Sequence, residues 1–187
     1  MTVDEALQLF RDTGALLEGH FVLRSGWHSR EFFQCALALQ EMPIVERFGA
    51  ALAEKARDLG ATTVVAPAMG GLVIGQEMAR QLGLRFIFVE KEAGVLVLRR
   101  GFKLQAEERV LITEDVVTKG GRVQETIDII EKSPAAIVGI TVLVDRSGGK
   151  LSFPYPLHSL IQMDVETFPP DQLPEDLMRT PATKPGS

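Results

Sequence analysis

Two spacings of apolar residues organise this chain. After Thr2, the residues Val3, Ala6, Leu7 and Phe10 recur three and four apart, which places them on one face of a helix. Thr2 followed by Glu5 makes a capping-box pattern at its start, and Gly14 is a natural stop. Residues 17–34 break into short extended pieces around Gly19, Ser25 and Gly26, carrying Phe21, Trp27, Phe32 and Phe33. A second helix is predicted from Pro43, a residue suited to a first turn. Ile44, Phe48, Leu52, Ala56 and Leu59 share one side of it, and Gly60 ends it.

From residue 62 the spacing turns regular. Residues 62–66, 85–89, 109–113 and 136–144 are near-continuous apolar runs rich in β-branched side chains. Helical patterns lie between them, one through Met78 and Leu82 stopped by Gly83, the other carrying Val123, Ile127 and Ile130. Strands that are apolar at almost every position are buried on both faces. Their alternation with amphipathic helices predicts an α/β fold, a mostly parallel twisted sheet flanked by helices. Residues 157–163 are a candidate late strand. Residues 91–104 carry two glycines and several cations, and read as a loop or hairpin off the sheet. Residues 167–187 hold half of the chain's 10 prolines and read as a wrapping or disordered tail.

Composition narrows the classes. A chain of 187 residues, 45% apolar, suits one α/β domain with a small appendage and a core that needs no staple. Cys35 is the single cysteine, so an intramolecular disulfide is excluded and a reducing compartment fits. His20, His28 and His158 lack metal-ligand spacing, and no zinc site is expected. A net charge of −5 and a pI near 5.3 count against an extended nucleic-acid face. No apolar run approaches the roughly 18 residues of a membrane span, and the acidic opening is unlike a signal peptide. The expected location is the cytoplasm, with neither nucleic acid nor membrane as partner.

The chemistry concentrates in Val110-Leu111-Ile112-Thr113-Glu114-Asp115-Val116-Val117-Thr118-Lys119-Gly120-Gly121-Arg122. An apolar strand closes in two carboxylates, then a short turn with a hydroxyl and two glycines, then a helix. Ligands of open α/β sheets bind beyond the carboxyl ends of the strands. The turn can aim backbone N–H groups at a phosphate, and the helix start adds partial positive charge. The carboxylates would repel phosphate; they suit vicinal hydroxyls, or Mg²⁺ bridging hydroxyls and pyrophosphate. Core packing gains nothing from two such acids at the end of a buried strand.

This segment resembles the phosphoribosyl pyrophosphate (PRPP) signature of type I phosphoribosyltransferases. The resemblance implies that Glu114 and Asp115 contact the ribose hydroxyls. It also implies that the loop from Val116 and Val117 through Thr118, Lys119, Gly120, Gly121 and Arg122 holds the 5′-phosphate. Lys119 and Arg122 depart from the pattern, which commonly has a small residue and a Ser or Thr there. Ala66-Pro67-Ala68-Met69-Gly70-Gly71 is similar to the family's pyrophosphate loop, making Met69 and Gly70 PRPP-binding candidates, although some members carry a lysine where Gly70 stands. Phe88-Val89-Glu90-Lys91-Glu92 resembles the start of its catalytic loop, with Lys91 as the basic residue.

Leu17 to Ser29 and the following Phe32-Phe33-Gln34 resemble the N-terminal hood of the orotate phosphoribosyltransferases, and Asp145-Arg146 resembles their carboxylate-binding arginine. The resemblance implies an N-terminal helix and hood over the base site (1–40), a PRPP-binding core (41–166) and the tail (167–187). Orotate would be held by Arg24, Phe32, Phe33, Thr118 and Arg146. Asp115 and Lys91 are the catalytic candidates, with Mg²⁺ as cofactor, carried mainly by PRPP rather than by a protein metal site. A lid over residues 91–103, with Arg99, Arg100 and Lys103 as further cations, would screen the reacting ribose from water. In the family such lids reach a neighbouring subunit, implying a homodimer with shared sites. The alternatives are a purine-type phosphoribosyltransferase, a non-catalytic PRPP-sensing regulator, or a structural paralogue without activity.

Overall fold

The computed structural model describes residues 1–23 and 25–184. Its elements in chain order are α1 (Val3–Asp12), β1 (Leu16–Val22), β2 (His28–Phe33), α2 (Cys35–Leu39), α3 (Met42–Ala56), β3 (Thr63–Pro67), α4 (Gly71–Leu82), β4 (Arg85–Glu92), β5 (Val95–Leu98), β6 (Arg109–Val117), α5 (Gly121–Ile130), β7 (Ala136–Asp145), β8 (Leu157–Gln162), β9 (Thr167–Phe168) and α6 (Glu175–Arg179). Six strands form one sheet in the order β5-β4-β3-β6-β7-β8. All neighbours run parallel except β5, which is antiparallel to β4. The architecture is the α/β fold that the apolar spacing predicts.

Each central strand feeds two cores, because successive side chains point to opposite faces. Val64 and Leu111 join Phe10, Phe48, Leu52 and Met78 under α1, α3 and α4. Val65 and Ile112 join Val123, Ile127 and Ile130 of α5 on the other face. That double burial is why these strands are apolar at nearly every position, with the buried Thr63, Thr113 and Thr141 as exceptions, rather than at every second one. From β3 the chain passes through α4 to β4 on one side, then returns to pair β6 on the other. The reversal opens a crevice beyond the carboxyl ends of β3 and β6, where an open sheet of this kind binds its ligands.

Two strands run further than their apolar pattern. β6 continues past residue 113 to Val117, because β7 is long enough to keep pairing it: Glu114 faces Val142 and Val117 faces Asp145. The acid pair therefore lies inside the ladder, not beyond it. β4 continues to Glu92 because β5 folds back on it, pairing Glu92 with Val95. Residues 91–104 thus begin with a hairpin. Its turn residues Ala93 and Gly94 both have positive φ, 49° and 89°, as a two-residue hairpin turn requires. Leu96 and Leu104 are buried and tie the hairpin and its return to the core.

A second sheet, of order β1-β2-β9, stands apart from the first. Its third strand comes from the C-terminal segment, which wraps back along β1 and β2. Thr183 N–H donates to the His20 carbonyl at 2.8 Å, and Val22 N–H donates to the Thr183 carbonyl at 2.9 Å. Arg30 pairs with Glu166 and with Asp176, both at 2.7 Å. Exposed pairs of this kind contribute little, because water screens them. The fully buried Leu177 of α6 contributes more, about 1.5–3 kcal/mol, so burial rather than charge holds the segment down. Among the described residues no helix is long and apolar enough to cross a membrane.

Candidate active site

Three cavities meet above the carboxyl ends of β3, β6 and β7, and Thr118 lines all of them. One, of about 320 Å³, is formed by the β6–α5 turn from Val116 to Val123 with Glu125. A second, of about 760 Å³, lies over the acid pair and is bounded by Ala68, Met69 and Gly70 of the β3–α4 turn and by Glu90 and Lys91 of β4. The third, of about 620 Å³, lies under the β1–β2 connection, between Leu23, Ser25 and Trp27 on one side and Lys119 and Arg146 on the other.

The β6–α5 turn has the form of an anion cradle. Gly120 is the N-cap of α5 with φ 74°, and a Cβ there would lie 2.8 Å from the Phe153 ring. Both facts restrict the position to glycine. No acidic residue occupies the first turn of α5, so its N-terminal partial charge is not cancelled locally.

The acid pair is held tightly. Asp115 Oδ1 accepts from the Val116 N–H at 2.8 Å, and Glu114 Oε1 accepts from the Asp115 N–H at 3.1 Å. Burial, and then the neighbouring Asp115 charge, push the Glu114 carboxyl up to about 9. Burial also raises Asp115, against its hydrogen bonds to Glu114 and to the Val116 N–H and, least, the charge of Arg122. One proton is thus retained by the pair near neutrality. A bound cation or hydroxyl donors would release it, which fits Mg²⁺ at this position. Among the described residues no cluster of three or more His, Cys, Asp or Glu could cage a metal alone. Mg²⁺ commonly takes one or two carboxylates and completes its shell with substrate phosphates and water.

Arg146 leaves the end of β7, its N–H bonded to the Val117 carbonyl at 2.9 Å. Its Nε is buried without a hydrogen-bond partner, and no carboxylate among the described residues forms an ion pair with it. Burial lowers its pKa, so the bare site works against this charge. Its guanidinium sits 5.8 Å from the Phe33 ring.

The remaining predicted residues divide. Lys91 is exposed and faces the acid-pair cavity. Arg99 and Arg100 do not reach it; they pair with Glu92 at 3.3 Å and Glu90 at 2.9 Å on the same hairpin. Phe33 is core, edge-on to Phe10 at 5.6 Å, and meets the site only beneath Arg146. Phe32, next along β2 and so on the opposite face, rests against Phe21 at 5.8 Å. Arg24 lies outside the described residues. Sequence reasoning passed over Lys150 and Asp164, an ion pair at 2.9 Å on the rim of the third cavity. The available signal was the Gly148-Gly149 pair, which turns the chain just after Arg146. It also passed over Trp27 as a wall of that cavity, although a tryptophan 45% exposed is unusual.

The phosphoribosyl transferase domain family matches residues 37–166. The orotate phosphoribosyltransferase of Caldicellulosiruptor bescii is 44% identical over 187 residues, which is all of this chain and 98% of that protein. That of Maricaulis maris is 48% identical over 190 aligned residues, again all of this chain and 98% of its own. The crystal structure of orotate phosphoribosyltransferase from Aeropyrum pernix superposes with a TM-score of 0.72 at 24% identity, covering 83% of this chain and 92% of that one; it shows the shared fold. The crevice at the sheet reversal, the glycine-bound cradle and full-length identity of this order agree: the chain belongs to the phosphoribosyltransferase family, among the orotate phosphoribosyltransferases.

Proposed function

We propose that the protein transfers ribose 5-phosphate from PRPP to orotate, giving orotidine 5′-monophosphate and pyrophosphate on the route to UMP. The observation that carries the choice of base is Arg146. It is a half-buried cation without a carboxylate partner, beside a cavity that joins the phosphate cradle at Thr118. A planar carboxylate anion pairs with that cation, and a neutral purine does not. Phe33 supports Arg146 from below, and Thr118 stands where base and phosphate spaces join.

In this reading the turn from Thr118 to Arg122 holds the 5′-phosphate, with Val116 and Val117 leading the backbone into it. Glu114 and Asp115 accept from the ribose hydroxyls. Met69, Gly70 and Lys91 border the pyrophosphate. The base nitrogen bonds to C1 of the ribose as the bond from C1 to the pyrophosphate oxygen breaks, and the N–H proton that the nitrogen gives up passes to solvent or to the departing pyrophosphate. Orotate is already an anion, so positioning and charge stabilisation matter more than a strong base. Mg²⁺, when bound, neutralises charge on the leaving group; Asp115 and Glu114 are the carboxylates that would hold it, with PRPP oxygens supplying the rest. The outer edge of β5 has no strand partner among the described residues, which suits a hairpin shared between two subunits of a homodimer. A lone buried thiol, Cys35, suits the cytoplasm.

The test is pyrophosphate release from PRPP with orotate, uracil, adenine, hypoxanthine or no base, each with and without Mg²⁺. Release with orotate alone among the bases, dependent on Mg²⁺, is expected. Faster release with either purine would replace this reading with a purine-type transferase.

A further inference from the structure

Arg122 belongs to the phosphate cradle by its backbone, but its side chain leaves it. Nη1 donates to the Ala68 carbonyl at 3.1 Å, a bond between residues 54 apart in the chain. The guanidinium therefore spans from the β6–α5 turn to the β3–α4 turn, and Arg122 lines both the 320 Å³ and the 760 Å³ cavities. That single bond uses one of its five N–H donors. No carboxylate among the described residues forms a salt bridge with it; its charge acts on the acid pair across the shared cavity without direct contact.

The turn that Arg122 reaches supplies no cation of its own beside the acid pair. Met69 is apolar, and a Cβ at Gly70 would lie 2.7 Å from Asp115 Oδ1. The strand order places β3 between β4 and β6. Lys91, at the end of β4, and Arg122, just past β6, thus flank the end of β3 from its two sides.

We propose that the Arg122 side chain is a pyrophosphate clamp. Anchored on Ala68, it turns its free donors to the pyrophosphate of PRPP, opposite Lys91, while the backbone of the same turn holds the 5′-phosphate. The assignment rests on the PRPP reading of the site and adds a division of labour within one residue. It makes the two phosphate ends of the substrate separable by mutation.

Titration calorimetry on the full chain with two probes, magnesium pyrophosphate and ribose 5-phosphate, tests it without turnover. Charge-assisted hydrogen bonds of this kind correspond to about tenfold or more in affinity. Arg122→Ser should weaken magnesium pyrophosphate by about that factor and leave ribose 5-phosphate within about twofold, since a hydroxyl and the backbone remain. Arg122→Lys should recover only part of the loss, because one ammonium cannot hold Ala68 and phosphate in the same fork. Equal weakening of both probes, or unchanged pyrophosphate affinity, overturns the clamp, as does failure of the wild-type chain to bind pyrophosphate. A wild-type chain that binds both probes but does not transfer to orotate would overturn the proposed reaction while leaving the clamp standing.

Discussion

Glu114 works against the empty protein. Its carboxyl is raised to about 9 by burial and by Asp115, from a value of 4.5 without those neighbours. An acid raised in the folded state contributes stability in full below its unfolded value and loses it as pH climbs toward the folded one. The window here runs from about 4.5 to about 9. The melting temperature of the unliganded protein should therefore fall with pH across that range. Glu114→Gln should flatten the slope and raise Tm at pH 8 by a few degrees while lowering activity. An identical pH slope in the variant would mean that Glu114 is ionised in the empty fold. Arg146 poses the converse problem, a charge with no partner until substrate arrives. Truncating one side of a buried charged contact commonly costs about 2–5 kcal/mol, so Arg146→Ala should raise the KM for orotate by about 30-fold or more. The KM for PRPP should change little; equal changes in both would make Arg146 a structural residue.

At the scale of elements, the hairpin of β4 and β5 is the part most open to test. Its own acids hold Arg99 and Arg100, which leaves Lys91 as the hairpin cation facing the acid pair. Lys91→Ala should lower kcat more than it raises the KM for orotate, because its charge is best used as pyrophosphate leaves. Brief proteolysis should cut the free protein at the exposed turns flanking β5, residues 93–95 and 99–101, and PRPP with Mg²⁺ should protect them; full protection without ligand would remove the lid. Much of this arrangement was legible in the sequence. β3, β6 and β7 announce themselves because double burial leaves few polar positions, and the cradle through the Gly120-Gly121 pair that follows the acidic strand end. The extension of β6 through Glu114 and Asp115 was not legible, since it depends on the length of β7 and not on the residues of β6. Phe32 and Phe33 look equivalent as a pair, yet strand alternation sends one to Phe21 and the other to the core under Arg146. Ion pairing within the hairpin depends on the register of β4 against β5, which charge content alone does not reveal.

For the whole molecule, the proposed dimer makes a prediction no single subunit can meet. Subunits carrying Lys91→Ala, mixed with subunits carrying Asp115→Asn, should regain activity after exchange, because one hybrid site then holds both wild-type residues. No recovery despite proven exchange would place each Lys91 in its own subunit's site. The wrapped C-terminal segment has a consequence of another kind, in the order of synthesis. The large sheet is complete once Gln162 has been made, and with it the turns that form the cradle and the acid pair. The small sheet still waits for β9, and β1 and β2 alone are a two-stranded ribbon, a form only marginally stable in water. A chain emerging from the ribosome can therefore complete its large sheet, with the proposed sugar-phosphate site, first. The small sheet, which the proposed function sets over the base, closes last, when Thr183 pairs with His20 and Val22.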